Sequence, residues 1–322
     1  MLNFQDLPDE LVLKILSYQE AKDLISCGQA FKRIRRISRD GALWVTTNLD
    51  EKIVKTDFIE MILRKGCRIL NLYNCTIIGS FSSIVKSQLR VLKLFQPTLH
   101  SDCDTDCKGD CDANPYVFDK LLSSCCFLQH LVMERVFLTP KMAKSICKNG
   151  KTLQTLNLNF SDLDSDSNIY WQKIIQRCPG LKEVNLAYTN YGEGITDEDL
   201  IFLAKNIAPD VEKLTLSCTE RDRAFNDYHV ETLLTRCNKI KALGLELNLT
   251  DRSLMNIGQC LNGTLEELSL GPCDEISLWG FLELKYMPRL KILNVFYYRC
   301  KDEGEEIQNL RNHLPHLIIK TF

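Results

Sequence analysis

What this chain lacks narrows the field before any motif is read. No stretch approaches the roughly 20 apolar residues a bilayer-spanning helix needs, so no membrane is expected among its partners. The opening residues, MLNFQDLPDELVLKILSYQE, carry acids from Asp6 onward and no basic start followed by a long apolar run. They do not read as a secretory signal, and the expected location is cytoplasmic and/or nuclear. An excess of one charge sign is missing too. A formal net charge of -2 and a pI near 6.3 exert no whole-protein pull toward nucleic acid, membrane surfaces or acidic ligands. The five histidines form no His-Glu-x-x-His pair, and no glycine-rich phosphate loop is present, since Gly192-x-Gly194 lacks its third glycine. With no local Ser or Cys nucleophile signature either, the expectation is a non-enzyme with no cofactor and no catalytic residues.

What is present points to an ordered chain. At 45% hydrophobic and 25% charged residues over 322 positions, there is enough apolar material for a large core. The fifteen cysteines are spread along a long chain without a signal, so reduced thiols are expected rather than a disulfide framework.

From about residue 66 one pattern recurs: an apolar residue, two variable ones, then apolar, variable, apolar. It appears in CRILNLYNC, LRVLKLFQP, LQHLVMERV, LQTLNLNFS, LKEVNLAYT, VEKLTLSCT, IKALGLELN, LEELSLGPC and LKILNVFYY, and LPHLIIKTF reads as a closing turn. The middle apolar residue marks each copy: Leu70, Leu92, Leu131, Leu156, Val184, Leu214, Leu243, Leu268, Leu293 and Leu317. Successive markers lie 22, 39, 25, 28, 30, 29, 25, 25 and 24 residues apart, and the 39 fits one repeat plus an insertion. Between the strand motifs sit helical spacings such as DFIEMILRKG and YHVETLLTRCN. Each repeat is therefore expected to be strand, loop, helix.

The run resembles the cysteine-containing class of leucine-rich repeats over roughly residues 66–320. Cys67, Cys126, Cys178 and Cys237 stand at the family's position just before the strand, where a thiol packs as a small hydrophobe. The resemblance implies a solenoid, a horseshoe with a parallel concave sheet, leucines inward and the intervening residues outward. Tyr73, Phe95, Glu134, Asn159, Asn185, Tyr188, Phe296 and Tyr297 are the expected substrate-binding residues of that face, because rigid aromatics supply contact area at low entropic cost.

Ahead of the repeats, DLPDELVLKILSYQEAKDLISCGQAFKRIRRISRDGALW reads as three short helices. The first is entered through Pro8 with Asp9 and Glu10 in its first turn. So short a segment must bury its apolar side against the repeats, a partner or both. Leu7-Pro8, Glu10-Leu11, Ile15-Leu16-Ser17-Tyr18, Asp23-Leu24 and Leu43-Trp44 fall in the register of an F-box, so the whole resembles an F-box and leucine-rich-repeat protein, similar to S-phase-kinase-associated receptors. That resemblance implies that Leu7, Pro8, Leu11, Ile15, Leu16, Leu24 and Trp44 pack on a Skp-type adaptor. Gln19 and Glu20 depart from the family's Leu-Pro, and Ile34 from its tryptophan. The expected division is an α/β chain with a three-helix F-box at 1–48, repeats at 49–322, and an inserted loop at about 98–116.

Two further clusters stand out. In SDCDTDCKGDCDANP, Cys107 and Ala113 stand where a calcium loop needs glycine and glutamate. The four-residue spacing of Cys103, Cys107 and Cys111 departs from zinc ligand pairs, so an acidic surface loop with no metal is expected. The run Lys32, Arg33, Arg35, Arg36 and Arg39 reads as a solvated helix face and not a nucleic-acid patch.

The resemblance implies a substrate-recognition subunit of an SCF-type ubiquitin ligase, partnered by a Skp-type adaptor, a cullin, a RING protein and a protein substrate. A leucine-rich-repeat scaffold or inhibitor outside a ligase is the alternative, and a binder switched by metal at the Cys-Asp insertion is a second.

Overall fold

The computed structural model describes residues 7–81, 86–100, 117–161, 168–189, 195–217, 227–247, 249–271, 275–296 and 309–321. The chain divides into two compact units, Met1–Val132 and Met133–Phe322.

The first unit opens with α1 (Asp9–Leu16), α2 (Ala21–Ala30) and α3 (Lys32–Ile37), then a 3-10 turn at Gly41–Trp44. Pro8 stands at the N-cap of α1 with φ -55, a fixed geometry that suits a helix start and removes a donor that would otherwise be orphaned. Val12 and Leu16, one helical turn apart, bury beneath it. The chain continues through β1 (Thr46–Asn48), β2 (Ile53–Lys55), α4 (Thr56–Arg64), β3 (Ile69–Tyr73), β4 (Thr76–Ile78), β5 (Val91–Phe95), β6 (Thr98–His100) and α5 (Val117–Ser124). Strands β1, β3 and β5 pair in parallel, with Leu70 opposite Leu92. A second parallel ladder joins β2, β4 and β6. Residues 98–100, expected to open the insertion, are therefore sheet; its cysteines and aspartates lie outside the described residues.

Trp44 ties the helical segment to the strands that follow it. Its ring is 3% exposed, its indole N–H donates to the Ser38 carbonyl at 2.9 Å, and its edge meets Phe58 of α4 at 6.0 Å. Two residues on, Thr46 begins a strand that pairs with β3. The helical segment and the first repeat share one core.

That strand belongs to a repeat the pattern search missed. Thr47 stands opposite Leu70, in the place of a marker leucine. It is 2% exposed, and its hydroxyl donates to the Trp44 carbonyl at 3.2 Å, which satisfies the one polar group its substitution for leucine introduces.

Strand β7 (His130–Glu134) lies at the division. The second unit then runs α6 (Pro140–Lys148), β8 (Thr155–Asn157), α7 (Asn168–Arg177), β9 (Glu183–Asn185), α8 (Asp197–Asn206), β10 (Lys213–Ser217), α9 (Asp227–Arg236), β11 (Ala242–Glu246), α10 (Asp251–Leu261), β12 (Glu267–Leu270), α11 (Leu278–Leu282), β13 (Ile292–Val295) and β14 (Ile318–Thr321). Strands β8 to β14 follow one another in a single parallel order, each joined to the next through a helix or turn, as parallel strands require. The markers Leu156, Val184, Leu214, Leu243, Leu268 and Leu293 line up strand to strand. The last copy is corrected: Leu293 pairs with Ile319, not Leu317. Leu317 instead closes a turn through its N–H to the Leu314 carbonyl at 3.0 Å, and the strand begins one residue later.

A backbone detail recurs with the repeats. Glu51, Asn74, Gln96, Arg135, Phe160 and Tyr188 all carry φ between 42° and 54°, and each lies four residues past its marker. A left-handed residue at that point turns the chain off the sheet, at a cost of about 1 kcal/mol for a non-glycine side chain.

The cysteines are structural, with one exchange. Cys67, Cys178 and Cys237 are fully buried, but Cys126 is exposed and Cys125 takes its place. Cys125, like Cys178 and Cys237, lies six residues before its marker. Burial pushes the thiols of Cys67, Cys125 and Cys237 up to about 11 and that of Cys178 up to about 12. Each folded-state value is raised, so the stability these thiols contribute is whole below about 9 and is lost as pH rises toward 11–12, at about 1.4 kcal/mol per pH unit for each thiol. In the folded chain these four are expected to resist a disulfide reagent at pH 8 and to react once guanidinium unfolds it, as counted by mass spectrometry.

Candidate functional site

Two surfaces carry the residues singled out by the sequence. The first is the outer side of the N-terminal helices. Helix α1 buries Val12 and Leu16, and its neighbouring stripe is left in water: Leu11 is 51% exposed, Ile15 40%, and Tyr18, just past the helix, 74%. Pro8 is exposed as well, so positions 8, 11, 15 and 18 form one helical stripe by their spacing. Ile25 of α2 and Phe31 between α2 and α3 add exposed apolar area. Of the residues expected to meet an adaptor, Pro8, Leu11 and Ile15 lie on this surface and Leu7 is half-buried. Leu16, Leu24 and Trp44, each 3% exposed, lie in the core beneath it. Helical alternation alone cannot separate the two sets, because both stripes of α1 are apolar.

The basic run of α3 is largely spent on holding this segment together. Arg33 pairs with Asp9 at 2.7 Å, Arg36 reaches the other oxygen of the same carboxylate, and Arg35 donates to the Gly28 carbonyl at 2.8 Å. Gln19 and Glu20, the two departures from the family's Leu-Pro, rim an open cleft of about 460 Å³ lined also by Tyr18, Trp44, Asp50 and Lys52. Glu20 is held there by Lys52 at 3.1 Å.

The second surface is the open face of the sheet, where side chains point away from the helices. In the first unit, Tyr73 and Phe95 occupy paired positions on β3 and β5 and stack 4.4 Å apart with planes 13° from parallel. In the second unit, Glu134 accepts from the Asn157 amide at 2.8 Å. Asn157 and Asn185 shape the backbone locally: the Asn157 side chain accepts from the Asn159 N–H, and the Asn185 side chain accepts from the Ala187 N–H. Phe296 is half-buried, and its N–H donates to the Leu270 carbonyl. Tyr297 lies outside the described residues.

Tyr188 stands in a line of side chains that sequence alternation did not find. Arg135 lies over the Phe160 ring at 5.1 Å. Phe160 stacks on Tyr188 at 4.5 Å with planes 4° apart, and the Tyr188 hydroxyl donates to the Glu246 carboxylate. Arg135, Phe160 and Tyr188 are three of the left-handed residues. The signal was available as a fixed offset of four from the marker, outside the strand's own alternation. Burial pushes the Glu246 carboxyl above its ordinary value.

Among the described residues, no group of three or more metal-ligating side chains comes together, and no helix is long and apolar enough to cross a membrane.

Set against known proteins, residues 59–322 match the family model described as the SKP2 LRR domain, and residues 4–50 match the F-box-like model. Among solved structures, the leucine-rich-repeat-containing protein LegL7 from Legionella pneumophila is 14% identical, covering 84% of this chain and 89% of that one, with a TM-score of 0.41.

Proposed function

The chain belongs to the family of SKP2-type leucine-rich-repeat proteins and carries an F-box-like segment ahead of the repeats; from that premise we propose that it is the substrate-recognition subunit of an SCF-type ubiquitin ligase. The observation that carries this reading is the exposed stripe Pro8, Leu11, Ile15 and Tyr18. An apolar row left in water at helical spacing on a folded segment is a docking face for a groove or a second helix. It lies within the segment where an F-box meets a Skp-type adaptor, and Leu16, Leu24 and Trp44 support it from below.

In this reading the adaptor bridges the chain to a cullin and its RING protein, and the open sheet face holds a protein substrate. No side chain here needs to do chemistry. Holding the target's lysines near a ubiquitin-charged enzyme converts an encounter between two molecules into one within a complex, and that proximity is the contribution. The alternative of a scaffold outside any ligase draws on Gln19 and Glu20, which put an exposed polar pair and an ion pair to Lys52 beside the stripe.

The test is co-elution. Mixed with a Skp-type adaptor and then with cullin and RING protein, the chain is expected to shift on size exclusion into a stoichiometric complex. Elution of the chain apart from the adaptor at micromolar concentration would leave the scaffold reading in its place.

A further inference from the structure

A sheet face selects its partners partly through the charges it leaves unanswered. Along the starting edges of the second unit's strands, acids and bases answer each other from repeat to repeat: Lys213 with Glu183 at 3.0 Å, Lys241 with Glu212 at 2.7 Å and Lys291 with Glu266 at 2.7 Å. On the face itself the pattern changes. Glu134 is met by the Asn157 amide and Glu246 by the Tyr188 hydroxyl. Among the described residues, neither has a cation within ion-pair distance.

Glu246 is the more confined of the two. Its neighbour on β10 is Ser217, which is buried, and Gly244 precedes it on its own strand. On its other side lies Gly271, where an added Cβ would stand 2.5 Å from the Glu246 Cα. Glycine is required at that close approach, since an added Cβ would meet the Glu246 backbone. The Phe160–Tyr188 stack forms a wall, with Arg135 on the far side of Phe160.

We propose that this recess takes a lysine or arginine side chain from a basic segment of a protein partner, with Glu134 receiving a further cationic residue of the same segment. A cation there offsets the hydration that partial burial removes from Glu246, and the aromatic wall adds the attraction of a ring face. An anionic ligand meets two carboxylates and is disfavoured. Four strand steps separate Glu134 from Glu246, about 19 Å at 4.8 Å per step, so an extended segment would place its basic residues about six positions apart.

The proposal rests on the receptor reading only in taking the occupant to be a protein, and the experiment keeps the two apart. Three fluorescein-labelled twelve-residue peptides, carrying two arginines, two glutamates or two norleucines six positions apart, are titrated into the full-length chain and followed by anisotropy. The arginine peptide is expected to bind at least about tenfold tighter than the others. Glu246→Gln should remove most of that preference, Glu183→Gln should leave it intact, and Glu246→Lys should turn it toward the glutamate peptide. Equal binding of the three peptides, or a preference untouched by Glu246→Gln and Glu246→Lys, overturns the proposal. Adaptor co-elution of the same samples reports separately on the receptor reading.

Discussion

A Leu11→Asp, Ile15→Asp double variant is expected to lose its adaptor while keeping its fold. Both side chains are about half in water already, and the core beneath is built by Val12 and Leu16, so the free chain gives up little. In a complex the same two residues would be buried. Each removed apolar side chain then costs about 1–2 kcal/mol, and two carboxylates brought into an apolar contact without partners cost more. A combined loss of about 3 kcal/mol or more corresponds to at least a hundredfold weaker binding. Co-purification with a Skp-type adaptor should disappear with an unchanged circular dichroism spectrum. Binding within a few-fold of the parent would place the docking surface elsewhere on the chain.

The largest stability effect is expected inside the repeats. Leu214 of β10 is fully buried, between Val184 and Leu243 on the flanking strands. Those strands are held by backbone bonds on both sides and cannot close around a missing side chain. Leu214→Ala should therefore cost about 2–5 kcal/mol, a fall in Tm of roughly 5–15 °C for a unit of this size. Thr215→Ala, one residue on and facing outward, should stay within about 0.5 kcal/mol. If thermal unfolding shows equal shifts for the two, the inward and outward assignment of this strand is wrong.

The repeats were legible because their inward leucines are chemically unambiguous, and every interior marker whose pairing is given sits in register. What escaped lies where that chemistry changes. Thr47 fills a leucine position with a hydroxyl satisfied by the Trp44 carbonyl, so an apolar search passes over it. Ile319 competes with Leu317 only two residues away, and only the turn at Leu314 decides between them. Cys125 and Cys126 are adjacent and chemically identical, and the choice belongs to the direction of the helix end. The ladder of β2, β4 and β6 is made of three-residue strands, too short to alternate recognisably. On the open face, the sequence pattern names Tyr188 but not Phe160, Arg135 or Glu246. Their association depends on left-handed turns at the strand ends and on contacts between repeats.

The shared core at Trp44 bears on how such a chain can be cut. Because β1 belongs to the same segment as the helices, removing residues 1–48 would not release a clean set of repeats. It would strip the partner strand from β3 and break bonds such as those from the Arg68 and Ile69 N–H groups to the Val45 carbonyl. A bare parallel edge flanked by leucines is a template for self-association, and arrays of this kind stay in solution only when their terminal unit is covered. The helices thus act as a lid on the first rung, and the natural place to divide this protein for expression is not between its two family segments.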